Sequence, residues 1–229
     1  MADVCVDAPA RIGVRTRAAC GAAILVAGLV YVNALHNPFV YDDHRMVVAN
    51  RSIGDLTNIK AIAAYDMTRP ITNFSYAIDH ALWGASPFGF HVTSVLLHML
   101  NVALLFLVAW RAAGDSARRR SESRPDAPAI VAVVAAVLFA SHPLMTEAVG
   151  YISGRSELLY GSWFLLAVLS GRRWMAAGGV SWAVLTMVLW TLGLATKETA
   201  AMLPFVQLAW GRLLLGARAA ERKDRRDVI

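Results

Sequence analysis

The chain has 229 residues, 57% hydrophobic and 17% charged, and its mean hydropathy of +0.50 is too apolar for an ordinary soluble domain and excludes a disordered or collagen-like architecture. The 22 basic residues outnumber the 16 acidic ones, for a net charge of +6, so the surplus must be traced to nucleic acid, anionic lipid or membrane topology. The two cysteines, Cys5 and Cys20, are too few for a disulfide framework or a cysteine-based metal site.

A bilayer core about 30 Å thick needs roughly 20 mainly apolar residues per helix. Six stretches approach this: residues 18–35, 91–112, 129–145, 157–171, 174–195 and 200–215. The third and fourth are short for full spans. Arg11, Arg15 and Arg17 before the first stretch resemble a signal-peptide n-region, but no small-x-small cleavage site follows, so the stretch is read as a helix. The expected fold is therefore all-α: a polytopic membrane helical bundle of about six spans, residues 18–217, between a cytoplasmic tail at 1–17 and a basic cytoplasmic tail at 218–229. An even number of spans puts both tails on one side. Of the 22 basic residues, only Arg45, Arg51, Lys60, Arg69, Arg155 and Lys197 then fall on the other side. That asymmetry orients the tails to the cytoplasm. It also accounts for the basic surplus, so nucleic acid is not an expected partner and membrane lipids are.

Between the first two spans lies an extracytoplasmic loop, residues 36–90, far longer than the other connections and for that reason expected to carry function. It holds most of the outer-side charge. Asp55 reads as the cap of a short helix with Leu56, Ile59, Ile62 and Ala63 on one face. A second helix is predicted from Pro70 to Gly84, with Ile71, Phe74, Ile78 and Leu82 as its apolar stripe. Both suit a position flat on the membrane surface. Asn50-Arg51-Ser52 and Asn73-Phe74-Ser75 match the glycosylation sequon.

Polar residues concentrate on the same side. Asp42, Asp43, Asp55, Asp66, Asp79, Glu147, Glu157 and Glu198 make up half of the 16 acids there, and the six histidines, His36, His44, His80, His91, His98 and His142, lie there or in the outer half of a span. Ionisable groups at membrane depth are costly and mark cavities or sites. Asp42 and Asp43 adjoin at the end of the first span; adjacent side chains diverge by about 100° in a helix and point oppositely in a strand, so only one of them is expected to face a common site. His91, His98 and Asn101 share one helix face, and each outer turn adds a carboxylate: Glu147, then Arg155 with Glu157, then Lys197 with Glu198. The two cation–carboxylate pairs read equally well as interfacial ion pairs.

Taken in order, Phe39-Val40-Tyr41-Asp42-Asp43, Arg69-Pro70, Pro87-Phe88-Gly89-Phe90-His91, Leu97-His98, His142-Pro143-Leu144-Met145-Thr146-Glu147, Gly154-Arg155-Ser156-Glu157 and Lys197-Glu198 resemble the start of the membrane O-mannosyltransferases that carry C-terminal tetratricopeptide repeats, and their bacterial relatives, within the C-type superfamily of integral-membrane glycosyltransferases. The resemblance covers about residues 20–215. It implies transfer of a sugar, mannose or a similar hexose, from a polyprenyl-phosphate carrier to a protein or glycan hydroxyl on the extracytoplasmic face, in a bacterial inner membrane or, in a eukaryote, the endoplasmic reticulum. Asp42 and Asp43 correspond to the family's acidic motif in the first outer loop, where a carboxylate acts as general base on the acceptor hydroxyl. The leaving phosphate calls for fixed cations, for which Arg69, Arg155 and Lys197 are the candidates. His91, His98, His142, Glu147, Glu157 and Glu198 are assigned to orienting the site or binding sugar hydroxyls. The resemblance leaves the metal unknown, with a divalent ion as a possible cofactor. The family's additional spans and repeats are not found in these 229 residues, so a non-catalytic or truncated scaffold that binds the lipid is a competing reading; a small transporter is another, which predicts midplane charges and inverted repeats.

Overall fold

The computed structural model describes residues 12–121 and 124–216. Those residues are helical with no strand, and the expected all-α class holds. Cys5, Arg11 and the tail at 218–229 lie outside the described residues.

Six helices fall, in order, on the six stretches expected from the sequence. They are α1 (Val14–Val30), α4 (Pro87–Arg120), α5 (Ala127–Ala140), α7 (Arg155–Ala177), α8 (Val180–Leu194) and α9 (Leu203–Trp210), the last extended by a π-helical turn, Gly211–Leu215. Three short helices lie between them: α2 (Ile59–Tyr65), α3 (Pro70–Trp83) and α6 (Met145–Gly150). Two helical stretches, Val14–His36 and Pro87–Arg120, are long and apolar enough to cross a membrane. At 1.5 Å per residue the 34-residue α4 is about 51 Å long.

Several boundaries move. The predicted third span stops at Ala140, because Ser141-His142-Pro143 turns the chain before α6. The predicted fifth span begins too early: Trp174 closes α7, and Gly178 and Gly179, with φ of 75° and 97°, make the turn into α8. Only glycine adopts that pair of conformations without strain.

The bundle carries its apolar residues outward. Leu25 and Leu29 on α1, Ile130, Val134 and Leu138 on α5, and Val184, Met187 and Val188 on α8 are all exposed. Ser94, His98, Asn101, Ser162, Ser170 and Thr186 are buried. Small residues allow close helix approach: Ala23 and Ala27 on α1 meet Ala132, Ala136 and Ala140 on α5, around Val102 and Phe106 of α4. Polar links tie α4 to α7, where Asn101 donates to the Leu158 carbonyl at 2.8 Å and accepts from the Ser162 hydroxyl at 2.7 Å. At the far end of α4, the buried Asp115 accepts from Arg172 of α7 and Trp210 of α9 and pairs with Arg118.

The loop at 36–90 folds into a small subdomain. Its core is Met46, Val47, Ile53, Ile62, Tyr76, Ala77 and Phe90, completed by Ile152 from the turn before α7. Helix α3 matches its predicted bounds and is closed by Gly84 at φ 63°. The face turned inward differs from the apolar stripe. Thr72, Asn73, Tyr76, Ala77 and Asp79 are buried, whereas Ile78 and Leu82 are exposed. The expected cap at Asp55 also moves: Asn58 caps α2, and Asp55 instead accepts from the Thr57 amide and hydroxyl. Those two bonds hold the exposed Asp55 carboxyl below the usual carboxylate range. Both sequon asparagines are interior groups. Asn50 donates to Asn73 at 2.7 Å, and Asn73 donates to the Ile62 carbonyl at 2.6 Å, which leaves neither amide open to modification.

Candidate active site

The acidic pair is split by the backbone. Tyr41, in the left-handed region at φ 45°, kinks the chain so that Asp43 turns inward and Asp42 outward; Asp43 is fully buried and Asp42 is exposed. Both Asp43 oxygens are engaged. One accepts from the Ser153 amide at 2.8 Å and the Ser153 hydroxyl at 2.7 Å, and the other accepts from the Val40 amide at 3.2 Å. Asp42 is held only through its backbone, whose N–H donates to the Tyr151 hydroxyl at 3.1 Å. One carboxylate thus anchors the turn while its neighbour meets solvent.

The turn at 150–155 is the counterpart that receives the loop. Asn37 donates to the Gly150 carbonyl, Tyr76 to the Ile152 carbonyl, and Asp43 accepts from Ser153. Gly154 is required by proximity, since a Cβ there would lie 2.5 Å from the Glu147 carbonyl oxygen. Arg155 completes the junction. Its Nη1 is 2.6 Å from Asp79 Oδ2, its Nη2 donates to the Phe90 carbonyl at 2.7 Å, and its guanidinium stacks on Tyr76 and Phe90 at 4.9 and 5.5 Å. Burial raises the Asp79 carboxyl above the ordinary carboxylate range, against the opposing pull of Arg155 and of the Thr93 hydroxyl. Burial likewise pushes the Tyr76 hydroxyl up. Arg155, expected among the cations for a leaving phosphate, is fully buried and exposes no atom to solvent.

The other predicted residues fall into three groups. His91 and His98 are fully buried in α4. His98 lies 3.2 Å through Nε2 from the Ala140 carbonyl and edge-on to Tyr31. His142, in the turn after α5, and Glu147, in α6, are exposed; His142 Nδ1 accepts from the Leu144 amide and the His142 carbonyl accepts from Tyr31. The third group is a surface cluster. Arg69 pairs with Glu198 at 3.7 Å, and Lys197 donates to Glu157. The Ile71 amide donates to the Ala195 carbonyl and docks the start of α3 on the turn after α8. The structure thus gathers Arg69, Glu157, Lys197 and Glu198 onto one face, joined to the Asp42 turn by the loop subdomain.

Sequence reasoning gave no site role to Tyr76, Asp79, Tyr151 or Ser153. Asp79 had a readable signal: on a helix it falls three residues after Tyr76 and so shares its face. Tyr151 and Ser153 act through a turn that has no periodic pattern.

This arrangement sets an exposed, backbone-held carboxylate beside a turn rich in buried hydrogen bonds, with the cations Arg69 and Lys197 in a separate ion-paired cluster where the start of α3 meets the turn after α8. Among the described residues no group of three or more His, Cys, Asp or Glu is placed to hold a metal ion. Protein O-mannosyl-transferase Tmtc1 of Drosophila melanogaster is 34% identical to the chain over 76% of the chain's length. The chain resembles the O-mannosyltransferases. Tmtc2 of the same organism is 32% identical over 76% of the chain, and human TMTC1 is 31% identical over 80%. The chain spans about a fifth of the length of these relatives, covering 20%, 19% and 22% of them. No family model and no solved structure matches the chain.

Proposed function

We propose that the chain is the catalytic membrane portion of a C-type glycosyltransferase that moves mannose or a similar hexose from a polyprenyl-phosphate carrier to a protein or glycan hydroxyl on the extracytoplasmic face, with Asp42 as general base. The carrying observation is the division between the two carboxylates. Asp43 has its oxygens filled by Ser153 and Val40, whereas Asp42 is exposed and held through its backbone. The names of the relatives support mannosyl transfer. The outward apolar faces of α1, α5 and α8 support a six-span bundle in the membrane, which the proposal sets in a bacterial inner membrane with both termini in the cytoplasm.

In the proposed reaction the bond from sugar C1 to the carrier phosphate breaks, and the phosphate leaves with the electron pair. The acceptor oxygen bonds to C1, and its proton passes to the Asp42 carboxylate. Arg69 and Lys197 stabilise the leaving phosphate, exchanging Glu198 and Glu157 for its oxygens. Arg155 acts indirectly by fixing the turn that carries Ser153. Because Asp43 is already saturated, the pair offers a divalent ion only Asp42, and no step is assigned to a metal.

Transfer of radiolabelled sugar from synthetic polyprenyl-phosphate donors by the purified chain in detergent tests this reading. Asp42→Asn is expected to lower transfer about 100-fold or more, the span of a general base, with unchanged thermal stability. Asp43→Asn is expected to lower both. Unchanged transfer in both single variants and the double variant would overturn the assignment. Carrier binding without transfer by the wild type would favour a non-catalytic scaffold.

A further inference from the structure

Helices α7, α8 and α9 enclose a groove of about 770 Å³, at a distance from the acidic turn. Its walls are mainly apolar, with Trp174, Met187, Trp190 and Leu208 among them, and Arg119 and Arg212 stand at one end. Leu203 and Arg212 both line it, nine residues apart on α9 and its π-helical extension. At 1.5 Å per residue that is about 14 Å, long enough for most of one acyl chain. We propose that this groove holds a chain of an anionic phospholipid, with the lipid phosphate between Arg119 and Arg212.

Charge complementarity favours that occupant. The groove residues include two guanidinium groups and no carboxylate. One Nη of Arg119 donates to the carbonyls of Arg212 and Leu213, which fixes this exposed cation at the end of α9. Arg212 is exposed beside it. Trp174, half exposed, gives the mouth the amphipathic ring typical of a headgroup boundary. Arg119 lies 32 residues beyond Pro87 on α4, roughly 48 Å along the helix. A phosphate bound there is therefore remote from the outer face, and the site is independent of the proposed sugar transfer.

Photocrosslinking tests the assignment. p-Benzoylphenylalanine replaces Met187 in the groove wall, and the protein is placed in nanodiscs of equal phosphatidylglycerol and phosphatidylcholine, with adducts weighed by mass spectrometry. Phosphatidylglycerol adducts are expected to dominate, by about fivefold for each basic residue that meets the anionic headgroup. Arg212→Gln, which removes no described side-chain hydrogen bond, should cut that preference about fivefold, and the Arg119→Gln, Arg212→Gln double variant should abolish it. Equal labelling of the two lipids by the wild type, no lipid adduct, or an adduct to a second copy or another stretch of polypeptide would each overturn the proposal.

Discussion

Asp79 with Arg155 near the acidic turn, and Asp115 with Arg172 at the far end of α4, are both buried ion pairs that tie another helix to α7, yet they are built differently. Asp115 is saturated: Arg172 donates twice at 2.7 Å, Trp210 donates at 3.0 Å, and Arg118 pairs with it as well. Asp79 has one cation and one hydroxyl, and its partner Arg155 leaves Nε without an acceptor and leans on Tyr76 and Phe90 instead. The inner cluster is a closed polar knot joining α4, α7 and α9. The outer one is a single pair seated in an aromatic pocket, and it joins a loop subdomain to the bundle. Buried pairs are strongly destabilised when one partner is lost, but replacing both by apolar groups is often nearly neutral.

The largest predicted effects test that difference. Asp115→Leu and Arg155→Met should each lower stability by about 3–5 kcal/mol, because each strands a buried charge; melting in detergent followed by circular dichroism reads both. The Asp79→Leu, Arg155→Met double variant should recover much of the loss. Asp115→Leu with Arg172→Met should not, because Trp210 Nε1 and Arg118 remain without the carboxylate. Equal recovery at the two ends would break the comparison.

The pair near the acidic turn also has a pH signature. Burial already raises the Asp79 carboxyl, and Arg155→Met removes the cation that opposes the rise. A carboxyl raised on folding binds more protons in the native state, so its unfavourable contribution grows as pH climbs from the unfolded value through the folded one and shrinks on acidification. The Arg155→Met deficit should therefore be smaller at pH 5 than at pH 7. A deficit that is independent of pH would mean that lost stacking on Tyr76 and Phe90, and not stranded charge, dominates.

These clusters also show what was legible in the sequence. The all-α class, the order of the apolar segments and the Pro70–Gly84 helix could be read from hydropathy, a proline and a glycine. The Gly178-Gly179 break was hidden, since Trp174 to Ala177 is apolar on both readings and hydropathy does not register a turn. Asp115 was hidden because it stands three residues before Arg118-Arg119-Arg120 and reads as part of a solvated helix end. Arg155 was noticed and given to a phosphate. Its burial depends on Asp79, 76 residues away, a pairing that no local pattern encodes. For α3 the expected stripe divides: Phe74 packs against the apolar core of the loop subdomain, whereas Ile78 and Leu82 are exposed and Thr72, Asn73, Tyr76 and Asp79 are buried.

Two glycines sharpen the same contrast at lower amplitude. A Cβ at Gly154 meets the Glu147 carbonyl at 2.5 Å, whereas one at Gly171 meets the side-chain amide of Gln207. Backbone cannot yield as a side-chain tip can. Gly154→Ala should cost about 1–3 kcal/mol, in the range of overpacking, and Gly171→Ala less, as Gln207 swings away from the Ala167 carbonyl. Comparable melting shifts for the two would show that the tight turn before α7 is more compliant than its hydrogen bonds imply.

The smallest stability effect is expected at the surface pair. Arg69 and Glu198 are 3.7 Å apart, with side chains 36% and 71% exposed, a setting in which ion pairs contribute about 0–1 kcal/mol. Arg69→Gln and Glu198→Gln should leave the melting temperature nearly unchanged. Under the proposed transfer reaction their kinetics should diverge. Losing Arg69 removes a cation from the leaving phosphate and should raise KM for the donor, lower kcat, or both, whereas losing Glu198 frees Arg69 and should leave transfer equal or better. If both variants impair transfer equally at constant stability, the pair acts as a clasp between the start of α3 and the turn after α8, and the phosphate must find its charge elsewhere, with Lys197 the nearer choice.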